Sequence, residues 1–179
     1  MVPQKVADGP LKSDIAAALG ISPAEISFDD HAPILLVGGP CFFFVPVASR
    51  QILEKTWPRE PAWSGLMAAL GKHDARVDAA YVYTRGGQGK DAAFRSRMYA
   101  PGGGIPEDPA TGSATALLAR QILIADKLAE GTHRFVIEQG YEMKRPSDLV
   151  LEADVALGDL TQVRVGGQAV RVSAGVITL

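Results

Sequence analysis

Asp108, Thr111, Gly112 and Ser113 stand within one short stretch, YAPGGGIPEDPATGSA, residues 99–114, which leads directly into an apolar run. A turn of Thr, Gly and Ser at the start of a helix exposes backbone N–H groups that have no partner inside the helix. With the hydroxyls of Thr111 and Ser113, those donors suit a carboxylate or a phosphate. The helix dipole adds about 0.3–1 kcal/mol, or ~2 kcal/mol where the site is partly buried. Asp108 beside them can accept from an amine or a hydroxyl, so the group as a whole suits a small zwitterion or hydroxy acid. A purely structural reading uses the same residues: Asp108 as an N-cap and Pro109 at the first helical position. That reading leaves the three glycines at 102–104 and the Thr-Gly-Ser turn without a purpose.

A second stretch, EQGYEMKRPSDLVLEADV, also offers polar groups. In it Arg145 and Ser147 either reach a ligand or lock the neighbouring loop. The alternative is a plain connection between strands, with Pro146 fixing the turn and Asp148 solvated. Several other chemistries are excluded. TRGGQGKD has Thr84 where a phosphate-binding loop needs its first glycine, and Asp91 where it needs Ser or Thr. GGGIPE places Glu107 at the third glycine of a dinucleotide fingerprint. His31, His73 and His133 lack metal-ligand spacing, and there is no G-x-S-x-G elbow. A two-thiol racemase needs two cysteines; Cys41 is alone, and PCFFFVPV marks it as a core residue. No metal and no cofactor is expected.

The elements that must position these residues follow from pattern. LKSDIAAALG, 11–20, reads as a short helix with a glycine stop. APILLVGGPCFFFVPV reads as two strands around Gly38-Gly39-Pro40. ASRQILEKT and PAWSGLMAALGKH read as helices, Pro61 opening the second and Gly71 ending it. ARVDAAYVYT, 75–84, and AAFRSRMY are a strand and its return, joined by a hairpin loop at 86–91. Residues 114–125 are apolar on nearly every side except at Arg120 and Gln121, so this helix belongs inside something. Five short strands are predicted after it: THRFVIEQG, DLVLEADV, TQVRVG, QAVRVS and GVITL, with a tight turn at Gly166-Gly167. The fold class is α+β: a curved, mainly antiparallel, barrel-like sheet wrapped around one central apolar helix. Its edges call for a cover, such as another lobe.

The chain has 179 residues, net charge −2, 47% hydrophobic and 21% charged residues. That suits a single domain, 1–179, with a core large enough to need no disulfide or metal staple. The charge gives no reason to expect nucleic acid or an anionic membrane as partner. One cysteine, no signal-peptide pattern and no apolar run of about 20 residues lead to the expectation of a soluble, cytoplasmic protein.

RMYAPGGGIPEDPATGSATALLA is similar to the signature of the PhzF family, phenazine-biosynthesis-like isomerases with the diaminopimelate epimerase fold. IEQGYEMKRPSDLVLEADV resembles that family's later Q-G-x-x-M-G-R-P-S segment, and VRVGGQAVRVSAGVITL its closing strands. The resemblance extends over nearly the whole chain but covers only one of the family's two lobes, the C-terminal one. It implies a cleft between two helix mouths, one from each lobe, and a proton shift run by general acid–base catalysis without metal or cofactor, a device that contributes typically ~10²–10⁴-fold. Asp108 matches the second-lobe aspartate that holds the substrate and is the candidate catalytic residue of this chain. Gly112 and Ser113 match the substrate-binding turn. The candidate substrate-binding set is Gly104, Glu107, Thr111, Gly112, Ser113 and Arg145. Lys144 departs from the family, which usually has glycine there. The family's catalytic glutamate and Gly-His-x-Thr motif belong to the first lobe and have no match here. The expected partners are a small carboxylate substrate and an N-terminal lobe on another chain, or a second copy of this one. A free-standing lobe that binds a small carboxylate without catalysis is the alternative.

Overall fold

Cys41, Phe42, Phe43, Phe44 and Val45 are consecutive, and every one is buried. A strand turns successive side chains to opposite faces, so such a run requires a covered surface on both sides of the sheet. The computed structural model, which describes residues 2–74 and 76–177, supplies both. Phe42 and Phe44 enter one core with the fourth helix; Cys41, Phe43 and Val45 enter a second core with the first three. Tyr81 and Tyr83 against Ala80 and Val82 divide in the same way. Burial pushes the Cys41 thiol up to about 11, as suits a packing residue rather than a nucleophile.

The chain runs β1 (Gln4–Asp8), α1 (Lys12–Leu19), β2 (Ile34–Val37), β3 (Cys41–Pro46), α2 (Arg50–Lys55), α3 (Ala62–Leu70), β4 (Val77–Arg85), β5 (Ala92–Ala100), β6 (Ile105–Asp108), α4 (Gly112–Asp126), β7 (Gly131–Gln139), β8 (Ser147–Ala156) and β9 (Asp159–Gly167). Nine strands form one sheet in the order β1-β2-β3-β4-β5-β7-β8-β9, with β6 paired to β5 off this path. The β3–β4 and β5–β7 pairs are parallel and the rest antiparallel.

The α+β class and the mainly antiparallel sheet agree with the sequence, but closure into a barrel does not. The sheet runs from a β1 edge to a β9 edge. Arg120 of α4 bridges the two ends instead, donating from Nε to the Pro3 carbonyl (2.8 Å) and pairing with Asp159 at the start of β9. The α4 helix packs on β8, β9, β1 and β2, with Leu117, Leu118, Ala119 and Ile122 buried. It is not apolar against protein all round, since Ile124 is 47% exposed.

Among the described residues three strands follow α4, where five were predicted. Gly166 and Gly167 pair with Val150 and Leu149 inside β9. A turn at those glycines would strip Leu149 and Val150 of their ladder partners. Residues 168–177 carry no strand and are exposed. Thr178 and Leu179, the end of the last predicted strand, lie outside the described residues, as does Ala75 at the start of the predicted strand 75–84. The strand β1 was not legible: QKVAD has no clean alternation, and its pairing to β2 shifts register between Lys5 and Ala7.

The C-terminal end of α4 is tied to β4. His31 lies with Nδ1 2.8 Å from the Tyr83 hydroxyl and Nε2 3.0 Å from Asp126 Oδ1. Arg85 donates to both oxygens of Asp126, at 2.9 and 2.7 Å, and to Asp29 at 3.0 Å. Burial lowers the pKa of His31 below its usual 6.5, so on acidification the unfolded chain binds the proton first. The stability that His31 contributes is therefore present above that value and is lost as pH falls below it. The Arg85 guanidinium holds Asp126 below the usual carboxylate range, which adds a loss at more acidic pH. His31→Gln is expected to flatten the decline in unfolding free energy as pH falls below the usual histidine value of 6.5, measured by urea denaturation across pH. The burial of α4 is checked by a pair of truncations. Leu118→Ala is expected to lower unfolding free energy by about 2–5 kcal/mol, and Ile124→Ala by under about 1 kcal/mol.

Candidate active site

β5 ends at Ala100, and a 3₁₀ turn at Pro101–Gly103 reverses the chain. Gly104 closes that turn with φ +78°, its N–H donating to the Pro101 carbonyl at 3.0 Å. Glycine adopts this left-handed conformation without steric cost. The chain then returns as β6, with Ala100 opposite Ile105 and Met98 opposite Asp108. Gly104 is exposed at the point where the chain enters β6.

Glu107 and Asp108 are neighbours on a strand and face opposite ways. Glu107 is buried, and Arg97 grips both of its oxygens at 2.9 and 2.8 Å. The same guanidinium donates to the carbonyls of Leu53 and Glu54 in the last turn of α2 and of Thr56 just after it, and lies over the rings of Trp57 and Tyr99. Both oxygens of Glu107 are thus engaged in a buried ion pair that holds β6 against α2. Asp108 is half-buried on the other face.

Asp108 does not cap the helix. It is the last residue of β6, and α4 begins at Gly112 with Thr111 as N-cap. The Thr111 side chain makes no capping bond either; its hydroxyl donates to Asp108 Oδ2 at 2.5 Å. The first turn of α4 closes with Thr115 N on the Thr111 carbonyl. The N–H groups of Gly112, Ser113 and Ala114 therefore precede the helical ladder, and the side chain that would ordinarily cap them is turned away. Gly112 is not required by its backbone, which lies outside the left-handed region, and a methyl group there would meet Val165 at an ordinary 3.8 Å. Ser113 is exposed at the helix start.

The β7–β8 connection meets this turn from the other side. Gly140 (φ +79°) packs so tightly that a Cβ would lie 2.4 Å from the Arg145 carbonyl oxygen and 2.7 Å from that of Pro109. Arg145 N donates back to the Gly140 carbonyl, and Ser147 Oγ to the Arg145 carbonyl. The two motifs of the sequence thus touch through backbone. The Arg145 side chain is exposed.

Gln139 was missed by sequence reasoning and sits at the centre. Its Nε2 donates to the Asp108 carbonyl (2.7 Å) and to Thr111 Oγ1 (2.9 Å), and its Oε1 accepts from Thr111 N (3.1 Å). The available signal was a polar Gln at the inner end of an apolar strand, directly before a glycine. Among the described residues no cluster of three or more His, Cys, Asp or Glu could hold a metal ion. Two cavities lie elsewhere, one between α1 and α3 and one between α3 and the Pro101-Gly102 turn, and neither is lined by Asp108 or Gly112.

The phenazine biosynthesis-like (PhzC-PhzF) family model matches residues 4–175. The chain belongs to this family. An uncharacterised isomerase of Mesorhizobium japonicum is 40% identical over 161 residues, covering 90% of this chain and 53% of that protein. A trans-2,3-dihydro-3-hydroxyanthranilate isomerase of Pseudomonas chlororaphis is 32% identical over 167 residues, covering 93% of this chain and 53% of its own length. A PhzF-family phenazine biosynthesis protein of Bacillus anthracis superposes with TM-score 0.77 at 16% identity, over 92% of this chain and 54% of that one, which shows a shared fold. The chain thus spans about half the length of the relatives it matches. Lys144, where the PhzF-like pattern has glycine, adopts φ +59°.

Glu107→Ala would leave the Arg97 guanidinium buried and unpaired. It is expected to lower unfolding free energy by about 3–5 kcal/mol, whereas Asp108→Ala, at a half-buried position, is expected to cost less than half as much. Urea denaturation of the two variants side by side checks the division of labour between the adjacent carboxylates.

Proposed function

We infer that this chain is the substrate-binding half of a cofactor-independent isomerase that shifts a proton on a small carboxylic acid. The observation that carries the reading is the diverted cap. Thr111 turns its hydroxyl to Asp108, which leaves the N–H groups of Gly112 and Ser113 at the helix start for an anion and sets a carboxylate beside them. A helix N-terminus favours a carboxylate by charge and by hydrogen bonding. Asp108 would accept from the amine or hydroxyl of the same ligand. The isomerases among the relatives support the reaction class, and the Pseudomonas chlororaphis enzyme supports an anthranilate-like acid as the substrate class. The proton-carrying glutamate implied by the PhzF resemblance would come from the half of the family's length that lies outside this chain.

A second reading, a non-catalytic lobe that binds a small carboxylate as a homodimer, is favoured by Glu107. With Glu107 committed to Arg97, Asp108 is the one carboxylate of the candidate site left for proton chemistry.

Titration calorimetry with anthranilate tests the common core of both readings. The chain is expected to bind it, and Asp108→Ala to weaken binding by about tenfold or more. No detectable binding, alone or with the missing half supplied as a second polypeptide, overturns both. Turnover of trans-2,3-dihydro-3-hydroxyanthranilate, followed by absorbance, separates them. Activity that appears only with the added half supports the isomerase, and an inert reconstituted pair supports the binding lobe.

A further inference from the structure

We propose that Gln139 is the positioning residue of this site, setting the direction of the Thr111 hydroxyl and through it the orientation of Asp108. The inference rests on the functional reading above and extends it to a residue that never touches the ligand. Its basis is a chain of donors and acceptors that admits one solution. The Asp108 carbonyl can only accept, and the Thr111 N–H can only donate. Gln139 lies between them, 2.7 Å from the first and 3.1 Å from the second. Its amide must therefore present Nε2 to Asp108 and Oε1 to Thr111; the flipped amide would oppose two acceptors and two donors. Nε2 then has a second proton, which it gives to Thr111 Oγ1 at 2.9 Å. With an incoming donor fixed there, the Thr111 hydroxyl directs its own proton to Asp108 Oδ2. That oxygen is satisfied by the protein, and Oδ1 has no protein partner among the described residues.

The amide is itself held. Gln139 is fully buried at the end of β7, and Ser96 of β5 lies opposite it in register. The Tyr81 hydroxyl of β4 lies 3.3 Å from Gln139 Oε1 and 3.1 Å from Thr115 Oγ1. Ser96 Oγ donates to that phenol at 2.8 Å, and Thr115 Oγ1 donates to the Thr111 carbonyl at 3.0 Å. Burial raises the Tyr81 pKa to about 12, so the phenol stays a donor throughout the working range. Three adjacent strands and α4 thus converge on one side-chain amide. A low-polarity interior strengthens such a network and makes any unpaired member costly.

The test replaces the amide and reads Asp108 directly. In the unmodified chain, three-bond couplings measured by NMR are expected to give one Asp108 χ1 rotamer. In Gln139→Leu, and in Gln139→Met should the leucine variant not fold, the rotamer is expected to average and anthranilate affinity to fall about tenfold. Gln139→Glu supplies a readout that a packing role would not move. Protonated, its carboxyl can still donate toward Asp108 or Thr111; ionised, it opposes acceptors with acceptors. Single-rotamer Asp108 and affinity near that of the parent are therefore expected at low pH, with averaging and weakened binding as pH rises. Thermal unfolding of each variant shows that the folded protein is being compared. An Asp108 rotamer unchanged in all three variants and independent of pH in Gln139→Glu overturns the proposal. Failure of the parent to bind anthranilate, with the rotamer effects intact, sinks the functional reading and leaves the positioning role standing.

Discussion

A buried side-chain amide must satisfy two donors and two acceptors, and at Gln139 that requirement organises the whole mouth of α4. The carbonyl of Asp108 in β6, the N–H and hydroxyl of Thr111 at the helix cap, and the Tyr81 phenol of β4 all meet this one group. Removing water from such a group makes each missing bond costly. The return strand, the helix start and the end of β7 are therefore held in one mutual arrangement. Gly140, the next residue, extends the constraint: its lack of a Cβ lets the β7–β8 connection close against Pro109.

The helix that presents the mouth is fixed at both ends. Its N-terminal turn is held through Thr111, and its last residue, Asp126, through Arg85 and His31 on the far side of the core. Between them, Arg120 reaches to Pro3 and Asp159 and ties the two edges of a sheet that does not close on itself. Helix dipoles act over about a turn, so a helix N-terminus can discriminate ligands only if it does not shift. Anchors at both ends and at the middle supply that rigidity without a closed barrel.

The adjacent carboxylates Glu107 and Asp108 show how strand geometry separates structure from chemistry. Alternation sends one side chain into the protein, where Arg97 neutralises it, and leaves the other half-exposed beside free helix N–H groups. A carboxylate and a cluster of N–H donors side by side present opposite signs across a few ångströms. That pairing complements a molecule carrying both an acid and an amine or hydroxyl. The chain covers about half of its relatives' length.

The sequence by itself determined most of the local elements and marked the candidate site. The apolar run after Ser113 required a buried helix, PCFFFVPV a core strand, and the glycines around EDPATGSA an unusual turn at a helix start, because these follow from backbone and solvation preferences that act over a few residues. The family was legible for the same reason, in long contiguous motifs. Only the tertiary structure decided which carboxylate faces the mouth, that the Thr111 cap is diverted, that Gln139 wires the site, and that the sheet stays open. Glu107 and Asp108 are indistinguishable until Arg97, ten positions earlier, arrives across the β5–β6 pair. Gln139 lies 31 positions from Asp108, and its meaning comes from partners on β6, the α4 cap and β4. The glycines at 166 and 167 looked like a turn because glycine is locally permissive, yet pairing with β8 holds them extended. Hydrogen bonds between distant segments fixed each of these outcomes, and local sequence preferences carry no information about which distant partner will be present.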